Sequence, residues 1–158
     1  MSPSSHTDAD HGGDKDTMKS TGGFVVMMAG GPVSWRSKLQ TTVSLSTTEA
    51  EYVAGVDAGK EIAWMRHLLG ELEYGLTGAS SLLMDNQSAI VVARNPEHHG
   101  RMRHLDLAHH WLRGQVEAGV IDVKYVPTED QLADIMTKAL PKPAVERLRD
   151  MMGLRGRQ

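Results

Sequence analysis

The 158-residue sequence contains no cysteine, which excludes disulfide bonds and metal sites built on thiolates. It also lacks an apolar run long enough to cross a membrane, and its N-terminus lacks the apolar core of a signal peptide. Positive charge is not in excess, because 17 lysines and arginines stand against 20 aspartates and glutamates. Any contact with a polyanion must therefore come from a local patch. We expect no membrane association and an intracellular location, in the cytoplasm or the nucleus.

The composition is that of one globular domain, since 40% of the residues are apolar. The chain is also long enough to form a hydrophobic core. Residues 1–20 are polar, a composition typical of a flexible tail. Apolar and alternating runs predict five strands, the first three antiparallel, over 22–28, 33–36, 41–46, 82–84 and 120–126. Helices are predicted over 46–72, 87–93, 106–118, 128–140 and 144–154. Together they predict an α/β fold with a mixed five-stranded sheet flanked by helices.

Asp85 is the first candidate for a functional residue. It directly follows the short apolar strand 82–84 and precedes the helix over 87–93, which places its carboxylate at the carboxyl edge of the sheet. Open α/β sheets bind their ligands at that edge. Aspartate is also a preferred helix N-cap, so this turn alone leaves both interpretations open.

Two glutamates open the long helix. Glu49 lies three residues after Ser46, the spacing of a capping box. Glu51 lies three residues before Ala54 and so extends the apolar stripe that packs on the sheet. A carboxylate on a buried face is costly unless a cation compensates it, which makes Glu51 the better site candidate. Asp134 lies on the polar side of the helix over 128–140, where either a solvated face or a site is consistent with the pattern.

Several motifs follow one another in a fixed order. They are Thr7-Asp8-Ala9-Asp10, Lys19-Ser20-Thr21, Ser34-Trp35, LSTTEAEY from Leu45 to Tyr52, DNQSA from Asp85 to Ala89, and YVPT from Tyr125 leading through Asp134 to Thr137-Lys138. In this order they closely resemble the ribonuclease H domain of copia-type (LTR) retrotransposon Pol polyproteins, over roughly residues 8–154. The resemblance implies a ribonuclease H-like fold that cleaves the RNA strand of RNA–DNA hybrids.

The resemblance also implies a site and its partners. Four carboxylates would bind two divalent cations: Asp8, Glu51, Asp85 and Asp134. Oxygen-only ligands select Mg²⁺ or Mn²⁺, and a pair of such ions about 4 Å apart stabilises both the attacking and the leaving oxygen of a phosphodiester. The expected partners are the hybrid and, in the parent polyprotein, a reverse-transcriptase domain.

The sequence departs from the family pattern just before Asp8, where MSPSSH is a poor central strand. We therefore divide the chain into a polar segment with a degenerate first strand (1–20), a ribonuclease H-like domain (21–154) and a tail (155–158). The alternative hypothesis is a catalytically inactive, truncated remnant that at most binds nucleic acid, because a displaced Asp8 would remove a shared metal ligand.

A strip over 98–110 is dense in histidine and arginine. Three interpretations stay open: a zinc site of an unrelated hydrolase, a solvated surface, or a contact to phosphates. The family resemblance favours the last, so the candidate nucleic-acid contacts are Asn86, Gln87, Arg101, Arg103 and His104. We expect three tryptophans to pack in the core rather than to stack on bases: Trp35, Trp64 and Trp111.

Overall fold

The computed structural model describes residues 2–95 and 106–154, and contains a five-stranded mixed sheet. Its strands are β1 (Ser4–Ala9), β2 (Thr21–Met28), β3 (Gly31–Leu39), β4 (Ser80–Met84) and β5 (Ile121–Tyr125). Their order across the sheet is β3-β2-β1-β4-β5. β1 pairs antiparallel with β2, as does β2 with β3, whereas β1–β4 and β4–β5 are parallel. The predicted fold class is confirmed.

Helices cover both faces of the sheet. They are α1 (Thr47–Glu71), α2 (Gln87–Arg94), α3 (Asp106–Glu117), α4 (Asp134–Thr137) and α5 (Lys142–Met151). Alternate side chains of a strand point to opposite faces, and β2 follows this rule. Phe24 and Val26 join the larger core under α1, α2 and α3, while Val25 packs with Leu132 and Leu148 on the other face.

The long helix α1 begins as the capping box predicts. The Ser46 hydroxyl accepts a hydrogen bond from the Glu49 backbone N–H at 3.1 Å, and the Glu49 carboxylate accepts one from the Leu45 N–H at 2.8 Å. Glycine allows α1 to lie close to its neighbours. A Cβ on Gly55 would lie 3.1 Å from the Met84 side chain of β4, so this helix is fixed tightly on the sheet.

The expectation of a flexible tail over residues 1–20 is wrong for Ser4–Ala9, which form the central strand β1. This strand is polar but its buried groups have partners. The Ser5 hydroxyl donates to the Val25 carbonyl at 3.4 Å, and the Thr7 hydroxyl to the Gly23 carbonyl at 3.3 Å. Hydroxyls satisfied in this way reduce the penalty for burying a polar strand, which composition alone does not reveal.

Two predicted elements are also wrong. Residues 41–46 contain no strand but a loop, in which Ser44 is buried and donates to the Gln40 side chain at 3.2 Å. The helix predicted over 128–140 is divided into a 3₁₀ turn, Thr128–Asp130, and the single-turn α4. The division occurs because Gln131, three residues after Thr128, turns into the core and is fully buried.

The tryptophans are only partly where we expected them. Trp111 packs against the main core, but Trp35 and Trp64 are 62% and 56% exposed. Trp35 lies on β3, one of the two edge strands of the described sheet, and Trp64 lies on the outer side of α1. Within the described parts of the chain, no helix is both long and apolar enough to cross a membrane.

Candidate active site

Three carboxylates converge at one edge of the sheet. Asp8 lies near the end of β1, Asp85 directly follows β4, and Asp134 begins α4. Because β1 and β4 are adjacent and parallel, their carboxyl ends meet at the same edge. Each of the three residues offers a carboxylate oxygen, and these oxygens all lie within 4.8 Å of one another. The cluster is partly sheltered, since Asp8 is fully buried and Asp134 is 6% exposed.

Glu51 adjoins this cluster from the second turn of α1. It is 4% exposed and shares a hydrogen bond with Asp8. Its Oε2 atom is a buried side-chain oxygen without a hydrogen-bond partner among the described residues. Burial, followed by the charges of Asp8 and Asp85, raises the pKa of Glu51 to about 9. Glu51 is therefore protonated at neutral pH as long as no cation compensates its charge.

Lys138 provides the positive charge next to the cluster. Its Nζ lies 2.8 Å from Oδ1 of Asp134 and 3.2 Å from Oδ1 of Asp8. Burial raises the pKa of Asp134, and the hydrogen bond from Lys138 acts against this rise. Burial lowers the pKa of Lys138, but the hydrogen bond to Asp134 and the charge of Asp8 outweigh it and raise that pKa overall. The ammonium group is thus held in its charged form.

Hydroxyl groups fix two of the carboxylates. Thr137 donates a hydrogen bond to Oδ2 of Asp8, and Thr128 donates one to Oδ2 of Asp85 at 2.9 Å. α4 itself is held against β2, where a Cβ on Gly23 would lie 2.6 Å from Cβ of Met136. The absence of a side chain at Gly23 therefore lets Asp134 approach the sheet edge.

A buried amide connects the elements that carry the cluster, and sequence reasoning missed it. The Gln131 Nε2 donates to the Thr7 carbonyl of β1 at 2.9 Å and lies 3.4 Å from the Leu83 carbonyl of β4. Its Oε1 lies 3.2 Å from Nδ1 of His6, whose pKa is lowered by burial to about 4. The sequence carries no signal for this pairing, because Gln131 and His6 are 125 positions apart.

The remaining candidates contribute differently. Asp85 is not the cap of α2, since Asn86 is, and its side chain accepts from the Ala89 N–H at 3.0 Å. Gln87 is exposed in the first turn of α2. Asp10 accepts from the Thr21 backbone N–H and Glu49 from that of Leu45, so both carboxylates have structural partners. Arg101, Arg103 and His104 lie outside the described residues, as do His98 and His99 of the strip.

The donor set fits a divalent cation. Three oxygen ligands within 4.8 Å of one another form a hard, negatively charged site. Glu51 is hydrogen-bonded to Asp8, and its Oε2 has no hydrogen-bond partner among the described residues. Mg²⁺ and Mn²⁺ prefer oxygen ligands of this kind. A nearby cation would also compensate the cost of an unpartnered buried oxygen. The four carboxylates are therefore the residues that could hold a metal.

The chain is similar in sequence to segments of much longer plant transposon proteins. No family model matches the chain. It is 40% identical over 150 residues to the retrovirus-related Pol polyprotein from transposon TNT 1-94 of Nicotiana tabacum, covering 94% of this chain and 11% of that protein. It is 39% identical over 154 residues to the corresponding polyprotein from transposon RE1 of Arabidopsis thaliana, covering 98% and 10%. The chain thus spans about a tenth of the length of these relatives.

Solved structures agree on the fold. The N-terminal RNase H domain of a Mycobacterium tuberculosis protein superposes with a TM-score of 0.62 at 15% identity, covering 94% of this chain and 96% of that one. LC11-RNase H1, solved in complex with an RNA/DNA hybrid, gives a TM-score of 0.57 at 14% identity and covers 85% and 93%. The protein therefore has the ribonuclease H fold. It is homologous to one segment of the copia-type Pol polyproteins of plant transposons.

Proposed function

We propose that this chain hydrolyses the RNA strand of RNA–DNA hybrids, with two Mg²⁺ or Mn²⁺ ions held by Asp8, Glu51, Asp85 and Asp134. The observation that carries the proposal is the convergence of Asp8, Asp85 and Asp134 from three different elements to within 4.8 Å. The hybrid bound by LC11-RNase H1 supports the choice of substrate, and the Pol relatives support the context.

The chain's own residues would prepare the site in three ways. Asp8 is held rigidly by the sheet and by the Thr137 hydroxyl, so it offers a fixed carboxylate at the centre of the cluster. Asp85 is only half-buried and lies at the solvent side, where a phosphodiester can approach. Glu51 and Asp134 flank the centre from α1 and α4. The bound ions would supply an activated water and stabilise the leaving oxygen.

Substrate recognition would rest on the backbone and the 2′-hydroxyls, because hybrids are read by shape rather than by base sequence. The exposed Gln87 and the neighbouring Asn86, at the start of α2, follow Asp85 directly and are the described candidates for this contact. Arg101, Arg103 and His104 complete the proposed set. A reverse-transcriptase domain of the same polyprotein is the further partner that we propose.

Cleavage of a labelled RNA–DNA hybrid by the purified chain tests the proposal, in Mg²⁺, in Mn²⁺ and in EDTA. We expect metal-dependent cutting of the RNA strand. The cleavage rate should fall about 100-fold or more in Asp85→Asn, since even a residue that only hydrogen-bonds to a metal ligand contributes about 10- to 100-fold. The matched control is Asp122→Asn on β5. Its carboxylate forms ion pairs with Arg94 and Lys124 and is not part of the cluster.

Fluorescence anisotropy with the same hybrid separates the two functional hypotheses. Binding without cleavage in either metal would refute the enzyme and favour the inactive remnant that retains the fold. Cleavage that Asp85→Asn leaves unchanged would refute the assigned site.

A further inference from the structure

The ammonium group of Lys138 lies where a metal ion bound to Asp8 and Asp134 would also have to lie. Its ammonium group contacts Asp134 at 2.8 Å and Asp8 at 3.2 Å, which are two of the three clustered carboxylates. Among the described residues, no other lysine or arginine forms an ion pair with any member of the cluster or with Glu51. The single ammonium group therefore already compensates part of the charge that makes the cluster attractive to a cation.

The two contacts differ in how easily they can be given up. Asp8 is fully buried in the central strand and cannot follow a departing partner. Lys138 is the residue that ends α4, its side chain is 35% exposed, and its four-carbon stem is flexible. The ammonium can therefore move into solvent at the rim of the site, while the carboxylates stay in place.

The difference in charge determines whether the divalent ion or the Lys138 ammonium binds the carboxylates more strongly. A divalent ion carries twice the charge of an ammonium and can bind several carboxylate oxygens at once, including the buried Glu51 oxygen that has no hydrogen-bond partner among the described residues. An ammonium group and a metal ion cannot both occupy the space between Asp8 and Asp134. Binding of the metal therefore has to include the displacement of Lys138, and the affinity for the metal is reduced by the strength of the lysine contacts.

We propose that Lys138 is the resident cation of the metal-free site, and that a divalent ion binds by displacing its ammonium group from Asp8 and Asp134. The inference rests on the proposed function, because the displaced contacts belong to the proposed metal ligands. Lys138 thereby raises the metal concentration that binding requires. Its ammonium group stabilises the fold when metal is scarce and is displaced when metal is abundant.

Isothermal titration of the full chain with Mn²⁺ tests this displacement, comparing wild type with Lys138→Met and Lys138→Gln. Both substitutions remove the charge and keep an unbranched stem. We expect Mn²⁺ to bind about tenfold more tightly to these variants, a change of about 1.4 kcal/mol. In EDTA, their melting temperature should be lower than that of wild type. The control is Lys142→Met, which makes the same change in net charge at a side chain that is 85% exposed and pairs with Glu146. Its Mn²⁺ affinity should stay within about twofold of wild type.

A second measurement uses the wild-type chain alone and does not depend on whether the variants fold. The Cε signals of Lys138, followed by nuclear magnetic resonance, should shift on saturation with Mg²⁺, whereas those of Lys142 should not. Equal or weaker Mn²⁺ binding in the Lys138 variants, or unchanged Lys138 signals in wild type at saturation, would overturn the displacement while leaving the metal site intact. Failure of wild type and both variants to bind Mn²⁺ would refute the metal site itself and the displacement with it.

Discussion

The buried carboxyl of Glu51 makes the stability of the metal-free protein depend on pH in a defined direction. Its pKa is about 9 in the folded chain against 4.5 for a free side chain, so between these values the folded state holds one more proton than the unfolded state. Stability is therefore full below about pH 4.5 as far as this group is concerned, and it falls as the pH rises toward 9. The slope for one proton is about 1.4 kcal/mol per pH unit.

Glu51→Gln removes this titration and keeps the size of the side chain. Between pH 6.5 and 8.5, wild type should lose about 3 kcal/mol relative to Glu51→Gln, which is a large part of the stability of an ordinary domain. Urea unfolding in EDTA, measured at several pH values in this range, gives the difference directly. The amide of the variant can also donate to the carboxylates beside it, so Glu51→Gln should be the more stable protein at pH 8.5.

Two controls sharpen this test. Glu117→Gln removes an exposed carboxyl at the end of α3 and should leave the slope unchanged. Addition of Mg²⁺ at pH 8.5 should restore stability to wild type more than to Glu51→Gln, because a bound cation compensates an ionised Glu51. Parallel pH profiles for wild type and Glu51→Gln would refute the reasoning, since they would mean that Glu51 is already ionised in the folded chain.

Three further predictions concern the elements that hold the site. Gly23→Ala should destabilise the protein by about 1–3 kcal/mol, because the new Cβ would lie 2.6 Å from Cβ of Met136. The midpoint of urea unfolding and the rate of hybrid cleavage should both be lower than in wild type. Gln131→Leu should cost about 1–3 kcal/mol in the same unfolding assay, since it leaves buried carbonyls of β1 and β4 without their donor. His6, neutral in the fold with its pKa lowered to about 4, should destabilise the protein as the pH falls from 6.5 toward 4, by about 2–3 kcal/mol when measured in the Glu51→Gln background.

Each of these has a contrary outcome. An unchanged unfolding midpoint in Gly23→Ala would mean that α4 is not held closely on β2. Stability equal to wild type in Gln131→Leu would show that the amide does not connect the strands, and Gln87→Leu on the surface is its matched control. His6→Asn should abolish the acid-dependent loss, and persistence of that loss in the variant would assign it to another group.

Local sequence determined the elements whose signals lie within a few residues. The Ser46–Glu49 capping box set the start of α1, and the apolar run before Asp85 set β4 and the turn that follows it. The helix predicted over 87–93 is a further such element, and its buried residues Ala89, Ile90 and Ala93 recur at helical spacing. Such signals are local because a helix or a strand places its neighbours at fixed, short intervals.

The errors came from residues whose environment is set by distant parts of the chain. Polar β1 looks like a tail until β2 and Gln131 provide its partners. Gln131 has the spacing of a capping residue and yet serves as a buried connection between strands, which ends the helix predicted there. Trp35 has a large apolar side chain of the kind expected in a core, but it lies exposed on an edge strand.

For the site, the sequence by itself determined which carboxylates to consider, since the order of motifs singled out all four. Only the tertiary structure decided that Asp8, Asp85 and Asp134 meet within 4.8 Å, that Glu51 is buried beside them, and that Lys138 lies between two of them. The physical reason is that convergence depends on the sheet order, which places β1 beside β4, and on the close approach of α4 to β2 at Gly23. The second of these brings Lys138 to Asp8 across 130 positions of the chain.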